Sequence, residues 1–375
     1  MRADVDVAGP AALNAICPYF TMFPLEFPLR ILKRYANEED VVLDPFCGRG
    51  TTNYAARMQG LYSIGIDSNP VAVAATKSKL VSAEPDEIVS EARRLLSMVR
   101  QAETPSGEFW KRAYHAQTLT NICRLRKALL LGHSTRRLGA ALTGIVLGAL
   151  HGPMRQNGSS SYLSNQCPRT YAPKPKYAVN YWKRHKMAPP KIDVLEVIGQ
   201  RAKRYYPSRD VGVQGLAVEG DSRFSSPYYG LKKSDRQASW IITSPPYYGL
   251  RTYVPDQWIR NWFLGGTDAV DYSSERQLSH AGLLAFQDDL RRVWLNSASV
   301  CAPRARLVIR FGAINDRKIS SPLEVIRDSL EGTPWRIVTA RSAGAASEGK
   351  RQVNTFYSGA PKAVTEIDLW AYLDT

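Results

Sequence analysis

Residues 41–67 constrain the fold more tightly than any other stretch of the chain. Val41-Val42-Leu43 is a short apolar run that ends on Asp44. A turn with glycines at 48 and 50 follows, then a helical stretch over 51–59. Tyr62-Ser63-Ile64-Gly65-Ile66 is a second run, and it ends on Asp67. Strand, glycine turn, helix, strand and acid, in that order, open a doubly wound α/β sheet. The runs are continuously apolar because central parallel strands bury both faces. An amphipathic helix is expected before them over 24–36, and another helix after them over 71–80. The strand pattern resumes at 213–218 before Gly220-Asp221, at 240–243 and at 306–310, with a helix over 283–298 between the last two. Residues 335–340 and 366–373 read as a closing antiparallel pair. The expected fold is therefore α/β, a Rossmann-like doubly wound sheet closed by two antiparallel strands.

The alternation breaks between these halves. Residues 81–210 read as a large, mainly helical insertion, with helices over 86–101, 117–131, 138–151 and 192–205. The stretch 155–190 is polar, aromatic and proline-rich. The expected domains are thus 1–80 with 211–375, and 81–210 inserted between them. Charge follows the same division. The net charge is +16, yet between Glu108 and Asp193 there are 15 Lys and Arg and no acid. The rest of the chain is close to neutral. A basic block of this kind suits a polyanion surface, most simply nucleic acid. Within it Arg155, Gln156, Asn157, Asn165, Gln166 and Arg169 are candidates for reading base edges. Lys174, Lys176, Lys183 and Arg184 are candidates for phosphate contacts, interleaved with Tyr162, Tyr171, Tyr177, Tyr181, Trp182 and His185. A solvated basic face with its aromatics in the core is the alternative.

Two sites carry chemistry. At the first, Asp44, Asp67 and Asp221 fall at three successive strand ends. Gly48 and Gly50 let the backbone turn tightly and approach a ligand. The turn matches neither the G-x-G-x-x-G dinucleotide fingerprint nor a phosphate loop ending in Gly-Lys-Ser/Thr. A carboxylate at 67 can take two ribose hydroxyls, and one at 221 an adenine amino group. Each Asp alone is equally consistent with a turn former or a helix cap. At the second site Ser244-Pro245-Pro246-Tyr247 follows the apolar strand 240–242. The prolines fix the backbone and remove two donors, which leaves carbonyls in set directions. The Ser244 side chain and the Pro245 carbonyl can accept both hydrogens of an exocyclic amino group, and Tyr247 offers a flat surface to an extruded base.

Asp44-Pro-Phe-Cys-Gly-Arg-Gly-Thr-Thr52 resembles the cofactor motif, and Ser244-Pro-Pro-Tyr247 the catalytic motif, of the S-adenosylmethionine-dependent DNA amino-methyltransferases. Tyr248-Gly-Leu-Arg251 resembles their common continuation. Phe20-Thr-Met-Phe-Pro24 resembles the segment that packs on the cofactor's methionine end. The resemblance covers about 1–80 and 212–375. It implies a methyltransferase sheet and S-adenosylmethionine held by Phe20, Phe23, Asp44, Pro45, Phe46, Gly48, Gly50, Thr51, Thr52, Asp67, Ser68, Asp221 and Ser222. It also implies double-stranded DNA as partner, contacted by Arg251 besides the basic block. The motif order, cofactor first, makes the halves look circularly permuted relative to members with this glycine motif. Serine at the first catalytic position is usual in cytosine-N4 enzymes, Asp or Asn in adenine-N6 enzymes, so cytosine N4 is favoured and adenine stays open. A restriction–modification or phage-defence setting, with a separate restriction endonuclease or defence proteins, enters only through the resemblance. So does a bacterial or archaeal source.

Several classes are set aside. The five cysteines (17, 47, 123, 167, 301) are scattered without a C-x-x-C, which argues against a disulfide framework or zinc site and fits a reducing cytoplasm. No Pro-Cys pair exists, so carbon-5 cytosine chemistry through a cysteine nucleophile is disfavoured. Cys47, in the glycine turn, is expected to face the cofactor region. His115, His133, His151 and His185 lack metal spacing. The apolar stretch 138–150 is too short to span a bilayer and reads as a buried helix. An RNA base methyltransferase and a non-catalytic DNA-binding protein remain as rival readings.

Overall fold

The computed structural model describes residues 12–18, 23–153, 162–168, 174–207, 215–248, 254–270, 278, 282–312, 321–345 and 365–374. Phe20, Arg155, Gln156, Asn157, Arg169 and Arg251 lie outside these residues. The chain forms two compact units. One comprises Tyr19–Thr76, Gly212–Thr252 and Glu275–Thr375, the other Met1–Pro18, Lys77–Val211 and Tyr253–Ser274.

The first unit holds a seven-stranded sheet, β1 (Val41–Asp44), β2 (Tyr62–Asp67), β3 (Leu216–Glu219), β4 (Ala238–Thr243), β5 (Cys301–Gly312), β6 (Trp335–Ala345) and β7 (Thr365–Leu373). Their order in space is β3-β2-β1-β4-β5-β7-β6. Strands β1 to β5 run parallel, and β7 runs antiparallel to both β5 and β6. This is an α/β Rossmann-like sheet closed by an antiparallel pair. Strand order reverses beside β1: β2 lies on one side of it and β4 on the other. In open α/β sheets such a switch point opens a crevice at the carboxyl ends of the strands, where ligands bind.

The apolar runs become strands for the expected reason. All four residues of β1 are buried, and β4 is buried at every position but one. The helix Leu283–Ala298 packs Phe286, Leu290, Val293 and Trp294 into a core shared with Leu43, Ile241, Leu307 and Leu369. Each such side chain contributes about 1.5–3 kcal/mol by leaving water. β5 is longer than the expected 306–310, and the helix Pro322–Leu330 went unread in the sequence.

The second unit is helical. Its helices include Pro85–Met98, Glu108–Ala113, Ala116–Leu130, Arg136–Ala149, Pro175–Arg184, Val194–Tyr205 and Trp258–Phe263. The helix Arg136–Ala149 is buried at every position of its second half, from Ala141 to Ala149, except Thr143. A Cβ at Gly148 would stand 2.1 Å from the Ile16 carbonyl oxygen, so glycine there lets the segment around Leu13–Cys17 lie on this helix. That close approach, and the buried Arg260 donating to the carbonyls of Leu147 and Pro18, explain why 12–18 and 254–263 sit with the helical unit. The insertion expected over a single span of 81–210 thus gathers chain from three places. Among the described residues no helix is long and apolar enough to cross a membrane.

Candidate active site

Two loops meet at the switch point. The parallel register sets Leu43 of β1 beside Ile241 of β4, so the two strands end together. Thr243, the last residue of β4, donates its hydroxyl to Asp44 Oδ1 at 2.6 Å. Thr52, in the first turn of the helix Thr51–Met58, donates to the Ile242 carbonyl at 3.1 Å. The glycine turn and the start of Ser244-Pro245-Pro246-Tyr247 are therefore stitched to each other through side chains as well as strand pairing.

The glycine turn folds back onto the end of β2. Cys47 N–H donates to the Ile66 carbonyl at 3.0 Å, and Gly48 N–H to Asp67 Oδ2 at 2.9 Å. Gly48 and Gly50 have φ of +51° and +75°, the left-handed region that glycine enters without strain. They differ in what surrounds them. A Cβ on Gly50 would stand 2.6 Å from Thr76 Oγ1, whereas one on Gly48 would meet nothing among the described residues closer than the Phe46 carbonyl oxygen at 4.0 Å. Gly50 is thus glycine for packing as well as conformation, and Gly48 leaves open space over the turn.

Both acids are poised rather than spent. Asp44 is 1% exposed, and burial pushes its carboxyl up to about 6. Hydrogen bonds from Thr243 and the Phe46 N–H, together with the neighbouring Thr52 hydroxyl, pull the other way, and the nearby Asp67 charge adds to the rise. Asp44 Oδ2 is buried without a hydrogen-bond partner. Burial also pushes Asp67 up to about 6, against N–H bonds from Asn69 and Gly48. Pro45 and Phe46 line the same turn. The Ser222 hydroxyl donates to the Pro45 carbonyl at 2.5 Å, and the Phe46 ring meets Trp294 edge-on at 6.2 Å. Thr51 is buried, Ser68 half-buried, and the Phe23 ring lies edge-on to Phe27 at 5.4 Å.

Three expectations need correction. Cys47, expected to face the cofactor region, instead turns its side chain into the interior against Thr76 and Gly65 of β2, where a Cβ on Gly65 would stand 2.9 Å from the sulfur. Asp221 does not end β3, which stops at Glu219, and it is not free. Arg223 grips both of its carboxylate oxygens and bridges to Asp289 at 2.9 Å. Asn165 is buried, and its amide donates to the Arg112 carbonyl at 3.2 Å, so it is engaged inside the helical unit.

In the second loop Pro245 is buried, and Ser244, Pro246 and Tyr247 are half-buried. The Ser244 hydroxyl makes no hydrogen bond among the described residues. Tyr247 is held more firmly than a free stacking surface. Its hydroxyl donates to Glu366 at the start of β7, and its ring meets Phe311 of β5 edge-on at 5.6 Å. Burial and then the Glu366 charge raise its phenol well above the usual value. Glu366 is a site residue that sequence reasoning missed. Only the pairing of Gly312 with Glu366 brings the start of β7 to this edge, and no local pattern announces it.

A doubly wound sheet with a glycine turn and strand-end acids at its switch point makes a ligand crevice at the carboxyl ends of its strands. Residues 9–78 match the N6/N4 methyltransferase family described as DNA methylase, so the resemblance to the DNA amino-methyltransferases stands over the donor half of the site. The chain is 40% identical over 58 residues to the Type II methyltransferase M.MjaII of Methanocaldococcus jannaschii, covering 16% of this chain and 11% of that one. It is 43% identical over 51 residues to the Type II methyltransferase M.ScaI of Streptomyces caespitosus, covering 12% of this chain and 17% of that one. The matches thus span less than a fifth of either relative. Among solved structures, the rRNA methyltransferase aviRa from Streptomyces viridochromogenes overlays at a TM-score of 0.37 and 13% identity, over 99% of this chain and 94% of that one. An S-adenosylmethionine-dependent methyltransferase from Methanosarcina mazei overlays at 0.36 and 9% identity, over 94% and 98%.

The cofactor that the matched family motif implies is S-adenosylmethionine, and the residues present fit it. The unpartnered Asp44 Oδ2 suits the ammonium of a methionine end. The open space over Gly48 lets a ligand approach the backbone. Asp67, at the end of β2, is placed for ribose hydroxyls.

Proposed function

We propose that this protein methylates the exocyclic amino group of a base flipped out of duplex DNA, with cytosine N4 as the favoured target. The observation that carries this is the junction of the two loops: Asp44 of the donor turn and Thr243, one residue before Ser244, touch at 2.6 Å. A base held by Ser244–Tyr247 then lies beside whatever the glycine turn holds.

The chain's own residues do mostly positioning and electrostatic work. Asp44, Gly48, Gly50 and Asp67 bind and orient the donor. The Ser244 side chain and the Pro245 carbonyl accept the two amino hydrogens, which draws the nitrogen toward a tetrahedral shape and turns its lone pair outward. Tyr247, fixed by Glu366 and Phe311, packs against the base. S-adenosylmethionine, held by Asp44, Gly48, Gly50 and Asp67, would supply an electrophilic methyl group to the nitrogen lone pair. The surplus proton of the methylated amine would pass to solvent water, and no covalent enzyme intermediate is needed.

Serine at position 244 favours cytosine over adenine by resemblance. Both curated relatives are named Type II methyltransferases, which supports a restriction–modification setting; a separate nuclease as partner and a cytoplasmic, DNA-associated protein belong to the same reading. The test is to express the chain in a host lacking other methylases, recover plasmid, and map modified bases by single-molecule sequencing. N4-methylcytosine at a fixed sequence is expected. N6-methyladenine would transfer the reading to the other base, and unmodified plasmid together with methylated RNA would overturn it.

A further inference from the structure

The stretch 155–190 gave no helix to sequence reasoning, yet Pro175–Arg184 is one. Proline at its first position starts the helix instead of breaking it, because that residue needs no N–H partner. Its inner face is Ala178, Val179 and Trp182. Trp182 is fully buried, 5.6 Å from the Phe109 ring, and its indole N–H donates to the Gln166 carbonyl at 2.9 Å. The helix is therefore firmly anchored, and its outer face is held in a fixed orientation.

That outer face carries an aromatic ladder. Tyr177, Tyr181 and His185 recur every four residues, so they stand one above another on the helix. The two tyrosine rings lie 6.4 Å apart and nearly parallel at 23°, and Tyr181 lies 4.3 Å from the His185 ring. Tyr177 is 52% exposed. None of the three makes a side-chain hydrogen bond among the described residues. Lys174, Lys176, Lys183, Arg184 and Lys186, all exposed, flank the ladder, and the helix holds no acid. Lys183 is paired with Glu108 at 2.6 Å, and Lys174 lies within electrostatic reach of Asp256. Lys176, Arg184 and Lys186 form no ion pair among the described residues. A purely solvated basic face has no use for three ordered rings whose polar tips lack partners among the described residues.

We propose that this helix face docks the sugar–phosphate backbone of duplex DNA. The inference rests on the DNA-methylating reading above and assigns the helical unit's contact surface within it. Lys176, Arg184 and Lys186 contact phosphates. The Tyr177 and Tyr181 hydroxyls and the His185 imidazole, about 6 Å apart along the axis at 1.5 Å rise per residue, add hydrogen bonds along the backbone. Such contacts position a protein on DNA without reading sequence.

The test uses the full chain and a fluorescent DNA duplex, with affinity read by anisotropy across a salt series. In the Lys176→Gln/Arg184→Gln/Lys186→Gln variant the slope of log K against log salt should shrink by roughly three, at about 0.9 for each phosphate no longer neutralised. In Tyr177→Ala/Tyr181→Ala affinity should fall about tenfold while the slope holds. Lys203→Gln, an exposed cation on another helix, should change neither. Thermal melting and S-adenosylmethionine binding should match wild type throughout, which separates docking from folding. Variants that bind duplex like wild type, while wild type methylates it, overturn this inference alone. A wild-type chain that neither binds nor methylates duplex DNA overturns the functional reading and this inference with it. A loss seen with single-stranded RNA but not with duplex also overturns the assignment.

Discussion

Thr243 donates its hydroxyl to Asp44 across 2.6 Å, which joins the last residue of β4 to the last residue of β1. Replacing Thr243 with Val keeps the shape and removes the bond. A buried hydrogen bond to a charged group is worth about 1.5–3 kcal/mol, so the melting temperature of Thr243→Val should fall accordingly. Thr243→Ser should restore it. Because this bond lowers the Asp44 pKa, the Val variant should also carry that carboxyl further upward.

The raised acids give stability and ligand binding opposite pH dependences. Asp44 titrates near 3.8 when unfolded and near 6 in the fold. Its contribution to the ligand-free protein is therefore fully present below pH 3.8 and is lost as pH rises through about 6. For Asp44 the span corresponds to roughly 3 kcal/mol at 1.36 kcal/mol per unit. The donor needs both carboxylates ionised, so its affinity should rise as pH rises through about 6. Calorimetric titration between pH 5 and pH 8 should show weakening of about tenfold per unit on the acid side for each proton taken up. Asp44→Asn should bind weakly and with a flatter profile; a flat wild-type profile would contradict the role given to both acids.

The two glycines should fail differently. Gly50→Ala brings a Cβ to 2.6 Å from Thr76 Oγ1 at a positive φ, and its loss of stability should exceed about 2 kcal/mol. Gly48→Ala carries only the conformational cost, about 1 kcal/mol, because the space is open. It should fold and yet bind S-adenosylmethionine poorly. Denaturant melts alongside calorimetry separate the two effects.

Tyr247 and Glu366 should behave as a pair. Tyr247→Phe loses the hydroxyl that β7 holds, and kcat should drop about tenfold with little change in donor affinity. Glu366→Gln keeps an acceptor and should retain most of the activity, while Glu366→Ala should resemble Tyr247→Phe. The double variant should fall no further than either, a coupling of about 1 kcal/mol in a double-mutant cycle.

Much of the sheet was legible in the sequence because its cues are local. Continuous apolar runs ending on Asp44 and Asp67 gave β1 and β2, and the glycines between them gave the turn. The features that escaped depend on distant chain. Pro175 reads as a breaker until the buried Trp182 shows a helix behind it. Asp221 reads as a free ligand until the chain folds Arg223 over it. Cys47 turns inward because Gly65, eighteen residues on, leaves it room. Glu366 has no signature at all, since its place follows from the register of β7 against β5.

The pairing of β1 with β4 and of β2 with β3 bridges a long excursion of the chain. During synthesis the donor turn leaves the ribosome with its catalytic partner strand still unmade, and one flank of β1 stays bare until then. Pairings this remote in sequence close slowly. Nascent chains halted before residue 238 should accordingly recruit chaperones and fall to proteases, and they should gain resistance only once β4 has emerged.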